Sequence, residues 1–154
     1  MMESNFSILA IAVVGVGLII LAFFVREGVI TSNIYKQGVK LYEQKNYKDA
    51  EAAFRQVISR HPSNDVVRLL LGDVLMQQDK LEDATVVFQE LSDRSPKNVD
   101  PLLRLGMALV KQEKLAAAKD PLEKAKTLLL AQRNTQKAES VEQLLEQISN
   151  RQIS

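Results

Sequence analysis

The sequence has no cysteine. That excludes disulfides, thiolate zinc sites, a lipoprotein anchor and a cysteine nucleophile, and it fits a reducing compartment. Tryptophan is also absent, and His61 is the single histidine. Neither sign of charge dominates: 20 Lys and Arg against 19 Asp and Glu leave a formal +1. Nothing electrostatic therefore points to nucleic acid as a partner. Glycine and proline are few, at 6 and 4, which leaves long stretches free of helix breakers. Catalytic patterns are missing as well. No HExxH, GxSxG, Walker loop or paired metal-ligand spacing occurs, and these are the patterns that would place a nucleophile, base or ion. His61 precedes Pro62 and reads as a helix-end residue rather than a base. The expectation is a non-enzymatic protein with no cofactor and no metal.

What is present is helix-forming. A chain of 154 residues sets an expectation of one domain. Ala, Leu, Gln, Lys and Glu are abundant, which favours an all-α fold. Residues 6–25, FSILAIAVVGVGLIILAFFV, carry no charge. As a helix they reach about 30 Å, the thickness of a bilayer hydrocarbon core. The rest of the chain is too amphipathic to wrap a helix that is apolar on every side, so a buried core helix is the poorer reading. A cleaved signal peptide is also the poorer reading. MMESN before the run has no Lys or Arg, the run is long, and no A-x-A site follows it. The layout reads as a tail 1–5, a transmembrane anchor 6–25 contacting the lipid bilayer, and a linker 26–32. Arg26, Lys36 and Lys40 follow the run. By the positive-inside rule, the amino terminus is outside and the rest is cytoplasmic or stromal.

Beyond the anchor, one register of 34 residues organises the chain. Gly38, Gly72 and Gly106 recur, as do Ala50, Ala84 and Ala118, and then Phe54, Phe88 and Leu122. Pro62 and Pro96 close the first two units, and Leu130 stands where a third proline would fall. A mid-helix glycine costs about 1 kcal/mol against alanine. Three in register imply a close helix crossing, with the alanine twelve residues later as its small partner. The expected helices are 33–45 and 47–60, 66–79 and 81–93, and 99–112 and 115–131. Asn46, Lys80 and Lys114 fall in the turns within pairs. Pro121 lies in the last of these helices and could kink it. The units are about 31–64, 65–98 and 99–132, within 33–131. Ala138, Val141, Leu144, Leu145 and Ile148 then share one face. That predicts an amphipathic capping helix over 136–151, as a solenoid end requires.

The spacing Gly38–Ala50–Phe54–Pro62, repeated as Gly72–Ala84–Phe88–Pro96, resembles the tetratricopeptide repeat family. The aromatic near the start of the first helix of each pair is replaced by Ile34, Arg68 and Leu102. The resemblance implies an α-solenoid of three helix pairs whose first helices line a concave groove that holds a protein partner. Counted from each glycine, the groove positions are Ser32, Tyr35, Val39 and Tyr42; Val66, Leu69, Asp73 and Met76; and Asp100, Leu103, Met107 and Val110. Members that clamp chaperone carboxyl termini need Lys, Asn and Arg here. With Tyr35, Val39, Asp73, Leu103 and Met107 instead, that clamp is absent. The groove suits an amphipathic helix or apolar segment. Leu69 and Leu103 suit packing against the next repeat equally well. One span plus three repeats also looks like the photosystem I assembly tetratricopeptide proteins of cyanobacteria and plastids. That likeness implies a thylakoid scaffold that assembles a membrane complex. A receptor or adaptor of a translocation, division or envelope machine, and a subunit that recruits an enzyme, are the alternatives.

Overall fold

A computed structural model describes the backbone of residues 2–153 and the side chains of residues 12–152. The described residues form seven helices: α1 Met2–Glu43, α2 Tyr47–Arg60, α3 Asp65–Gln77, α4 Leu81–Arg94, α5 Val99–Lys111, α6 Leu115–Ala131 and α7 Thr135–Ile153. The expected boundaries hold to within a residue or two from α2 onward. The fold is all-α, with each helix packed on its neighbours in sequence.

The first helix departs from the expected layout. Residues 26–32 are not a separate linker but part of one helix of 42 residues. At 1.5 Å per residue it is about 63 Å long. The reason is local: between Val25 and Asn33 there is no proline, and Gly28 alone is too weak a breaker to end a helix. Tertiary contacts also hold this stretch. Arg60 at the end of α2 pairs with Glu27, and Thr31 is buried. The stretch from Ala12 to Val25 is different. Val13, Leu18, Ile19, Phe23 and Phe24 are each more than half exposed. By length and composition, α1 is apolar enough to cross a membrane. Residues 6–11 of the expected span are helical, and their side chains lie outside the described residues.

The remaining architecture follows from two kinds of turn. Within each pair, the first helix ends on a left-handed residue: Lys45, Asp79 and Glu113 have φ of 59°, 59° and 58°. In each case the last two turn amides donate back to the helix. Asp79 N–H reaches Met76 O at 3.2 Å, and Lys80 N–H reaches Leu75 O at 2.9 Å. That is the Schellman arrangement. Arg133 repeats it between α6 and α7. Between pairs, Pro62 and Pro96 sit in turns closed by Asn64 N–H to His61 O and Asn98 N–H to Ser95 O. Asn64 then caps α3 through Val67 N–H at 3.1 Å, and Asn98 caps α5 through Asp100 N–H at 3.1 Å. Asn46 caps α2 in the same way, whereas Lys80 and Lys114 make no side-chain cap. Without a proline at 130, α6 runs on to Ala131, and it continues as helix through Pro121.

The glycines do mark close crossings, but the group that needs the space is not the alanine. A Cβ on Gly38 would lie 2.8 Å from the Phe54 ring, and one on Gly106 would lie 2.5 Å from Leu122. On Gly72 it would collide with the Phe88 ring. The large residue sixteen positions later lies over each glycine. Ala50, Ala84 and Ala118 are fully buried in the core beside it. One apolar cluster joins α1 to α5 around Phe54, Leu75 and Phe88. A second joins α5, α6 and α7 around Leu122, Leu129 and Ile148. Ala138, Val141 and Leu145 of α7 face this cluster, and Glu139, Glu142, Gln143, Glu146 and Gln147 stay exposed. α7 is therefore built as a cap.

Candidate functional site: the inner face of the solenoid

The first helices of the pairs form one side of the solenoid, where α3 and α5 touch directly. The four groove rows differ in depth. The outermost row, Ser32, Val66 and Asp100, is exposed. The next row, Tyr35, Leu69 and Leu103, is half-buried against the core clusters. Tyr35 leans on Phe54, with ring centroids 6.5 Å apart. In the third row Val39 and Asp73 are half-buried, and Met107 is 51% exposed. In the last row Tyr42 and Val110 are half-buried, but Met76 is only 9% exposed and belongs to the first core cluster. Met76 is thus a core residue and offers a partner little surface.

A polar track crosses this apolar face. Arg104 Nε donates to Asp73 Oδ1 at 2.7 Å, joining α5 to α3, and its Nη1 lies 3.9 Å from Asp100. Burial pushes the Asp73 carboxyl above its ordinary value, and the hydrogen bond and charge of Arg104 only partly offset this. Burial, then the Asp73 charge, raises the Tyr42 hydroxyl. Tyr42 also stacks obliquely on Tyr47 at 5.8 Å. Sequence reasoning placed Asp73 here and missed Arg104, which sits outside the four groove rows. Its signal was available as an arginine four residues after Asp100.

The face therefore offers half-buried tyrosines and leucines, one exposed methionine, and Arg104 set between Asp73 and Asp100. That arrangement can hold apolar side chains in register beside one polar anchor. Among the described residues, no cluster of His, Asp and Glu is arranged to hold a metal ion.

A helix-turn-helix solenoid with large residues over glycines every 34 positions defines the class. Tetratricopeptide repeat models match residues 41–93 and residues 69–128. The repeat region belongs to the tetratricopeptide repeat family. Solved structures agree on the fold. The TPR2B domain of yeast Sti1, in complex with pHsp70, superposes with a TM-score of 0.71 at 18% identity, covering 79% of this chain and 97% of that one. The Yersinia enterocolitica type III secretion chaperone SycD, with a peptide of the translocator YopD, gives 0.72 at 18%, covering 79% and 93%. The first repeat domain of Spaghetti (RPAP3), bound to an HSP90 peptide, gives 0.68 at 20%, covering 80% and 94%. At such identities the likeness is one of fold. Among curated proteins, none matches the chain by sequence.

Proposed function

We propose that this protein is a membrane-tethered scaffold that holds a segment of a membrane-complex subunit on its inner face during assembly. The observation that carries this reading is the unbroken α1, which runs from an exposed apolar stretch directly into the first repeat. If Val25 marks the end of the span, Tyr35 stands about 15 Å and Tyr42 about 26 Å farther along the same helix axis. The groove is then held at a fixed height, and a subunit emerging from the same bilayer meets it at high effective concentration. Arg26, Lys36 and Lys40 favour the cytoplasmic or stromal side.

The structural neighbours in complex with pHsp70, a YopD peptide and an HSP90 peptide support a peptide-holding role for the repeats. The inner face of this chain is mostly apolar, and its carboxylates Asp73 and Asp100 against one cation, Arg104, favour an amphipathic helix or apolar segment over an acidic tail. The layout's likeness to photosystem I assembly proteins makes thylakoid photosystem subunits the first partners to test.

The test is co-purification from native membranes, with a Tyr42→Glu/Met107→Glu variant alongside. Incomplete complexes should accompany the wild-type protein and be lost from the variant. Retention of every partner by the variant would refute the inner-face reading. Protease added to the cytoplasmic side should degrade the repeats, and full protection would refute the orientation.

A further inference from the structure

The opposite side of the solenoid carries a second feature. Between α4 and α6 lies a cleft of about 890 Å³, floored by Leu102, Leu105 and Leu109 of α5 and walled in part by Pro121 and Leu128 of α6. The repeat register explains why it is open. In the preceding repeat, the positions of Leu102, Lys124 and Leu128 hold Arg68, Glu90 and Arg94. There Arg68 approaches Glu90 at 3.9 Å, and Arg94 pairs with Asp65 at 3.0 Å. Both pairs join α3 to α4, whereas the third repeat carries shorter leucines at the two arginine positions, and these leucines line the cleft. Pro121 replaces Val87 and has no amide proton. The carbonyl of Ala117, a lining residue, therefore lacks its usual i+4 donor.

The rim has a sign. Asp93, Asp120 and Glu123 line the cleft with one cation, Lys124, which is held by Asp120 at 2.8 Å, while Glu123 also meets Lys126 at 3.0 Å; three carboxylates against two lysines leave the rim acidic. Asp93 accepts from the neutral Gln89 amide at 2.9 Å. An apolar floor inside an acidic rim complements a segment with apolar side chains between basic ones.

We infer that this cleft is a second docking site, on the face opposite Met107 and Asp73. It takes a partner segment with at least two apolar side chains flanked by Lys or Arg. The apolar side chains occupy the leucine floor, the cations meet Asp93 and Glu123, and the Ala117 carbonyl accepts a donor from the segment. The inference does not depend on what the inner face holds.

The test uses the full chain in zwitterionic nanodiscs and a short amphipathic peptide of lysine and photo-leucine. After irradiation, attachment sites are read by mass spectrometry. Attachment should fall within 85–96, 102–109 and 117–128. Its yield should drop about tenfold in Leu128→Arg, in Asp93→Lys, and with a peptide carrying glutamate for lysine. Met107→Glu should leave it unchanged. Asp93 is exposed, so its variant reports on the cleft even if Leu128→Arg disturbs the core. No attachment within the cleft segments, or equal yield there with the glutamate peptide, would overturn the inference. So would a cleft that self-associates, seen as peptide attachment falling while protein concentration rises.

Discussion

The junction between the first and second repeats and the junction between the second and third share one register but are closed by different chemistry. At the first, Glu51 of α2 accepts from Gln78 at 2.8 Å, Lys80 at 2.7 Å and Arg55 at 2.8 Å. Arg68 and Arg94 make ion pairs between α3 and α4 within the second repeat. At the second, Thr85 stands in place of Glu51 and accepts from Gln112 at 2.5 Å, while Leu102 and Leu128 replace the arginines. The shared part is backbone-directed: Gln78 Nε2 reaches Tyr47 O at 3.4 Å, and Gln112 Nε2 reaches Leu81 O at 3.0 Å. The register thus fixes how repeats stack, and the residues it leaves free decide whether the outer seam is sealed by charge or left as an apolar cleft.

The largest effect should come from the glycine crossings inside the second and third repeats, which flank the second junction. Gly72→Ala drives a Cβ into the rigid Phe88 ring, whereas Gly106→Ala meets the rotatable Leu122. Gly72→Ala should cost about 2–3 kcal/mol by denaturant melts. Gly106→Ala should cost less, because the Leu122 side chain can turn about its single bonds while the Phe88 ring is rigid; the gain of about 1 kcal/mol in helix propensity is common to both. Equal costs would break the comparison.

Next in size is pH. Burial pushes the Glu51 carboxyl up, but hydrogen bonds from Lys80, Arg55 and Gln78 outweigh it and bring it down to about 2. The folded state therefore binds this proton less readily than the unfolded one. The stabilisation is present above the ordinary value of 4.5 and is lost as pH falls from there towards 2. Allowing for screening of the exposed Lys80 and Arg55, it is on the order of 1–2 kcal/mol. Thermal melts of Glu51→Gln should show a flatter stability curve below pH 4.5 than wild type. Thr85→Ala at the second junction should cost about 1 kcal/mol with no added acid dependence.

Smaller still are the left-handed turn residues. Asp79→Gly and Glu113→Gly should each stabilise the fold by about 0.5–1 kcal/mol, because glycine carries no Cβ penalty at that φ. The same gain at both turns would show that the second and third repeats share one backbone and differ only in side chains. A loss at either would mean that its side chain contributes more than the backbone strain costs.

Much of the fold was legible because its determinants are periodic. Gly38, Phe54, Pro62 and their equivalents name helix crossings and stops directly, and the boundaries from α2 onward followed. What escaped was non-periodic or carried by unlikely residues. The left-handed turns hold Lys45, Asp79, Glu113 and Arg133 instead of the glycine that would have marked them. The linker was expected where composition turned polar, yet polarity alone does not end a helix that Glu27 and Thr31 pin to the repeats. The inner face was legible as a set of rows but not in depth. Register places Met76 with Tyr42 and Val110, yet Met76 is buried in the core while those two are half-buried. Arg104 and the outer cleft depend on differences between repeats, which a search for sameness passes over.

The most direct test of the holding role is photo-crosslinking in native membranes from an unnatural residue placed at Met107. The account predicts a defined crosslink to a membrane-complex subunit, lost when Tyr42→Glu is added. It would be contradicted if position 107 captured no membrane-complex subunit, or if the same crosslink persisted with Tyr42→Glu in place.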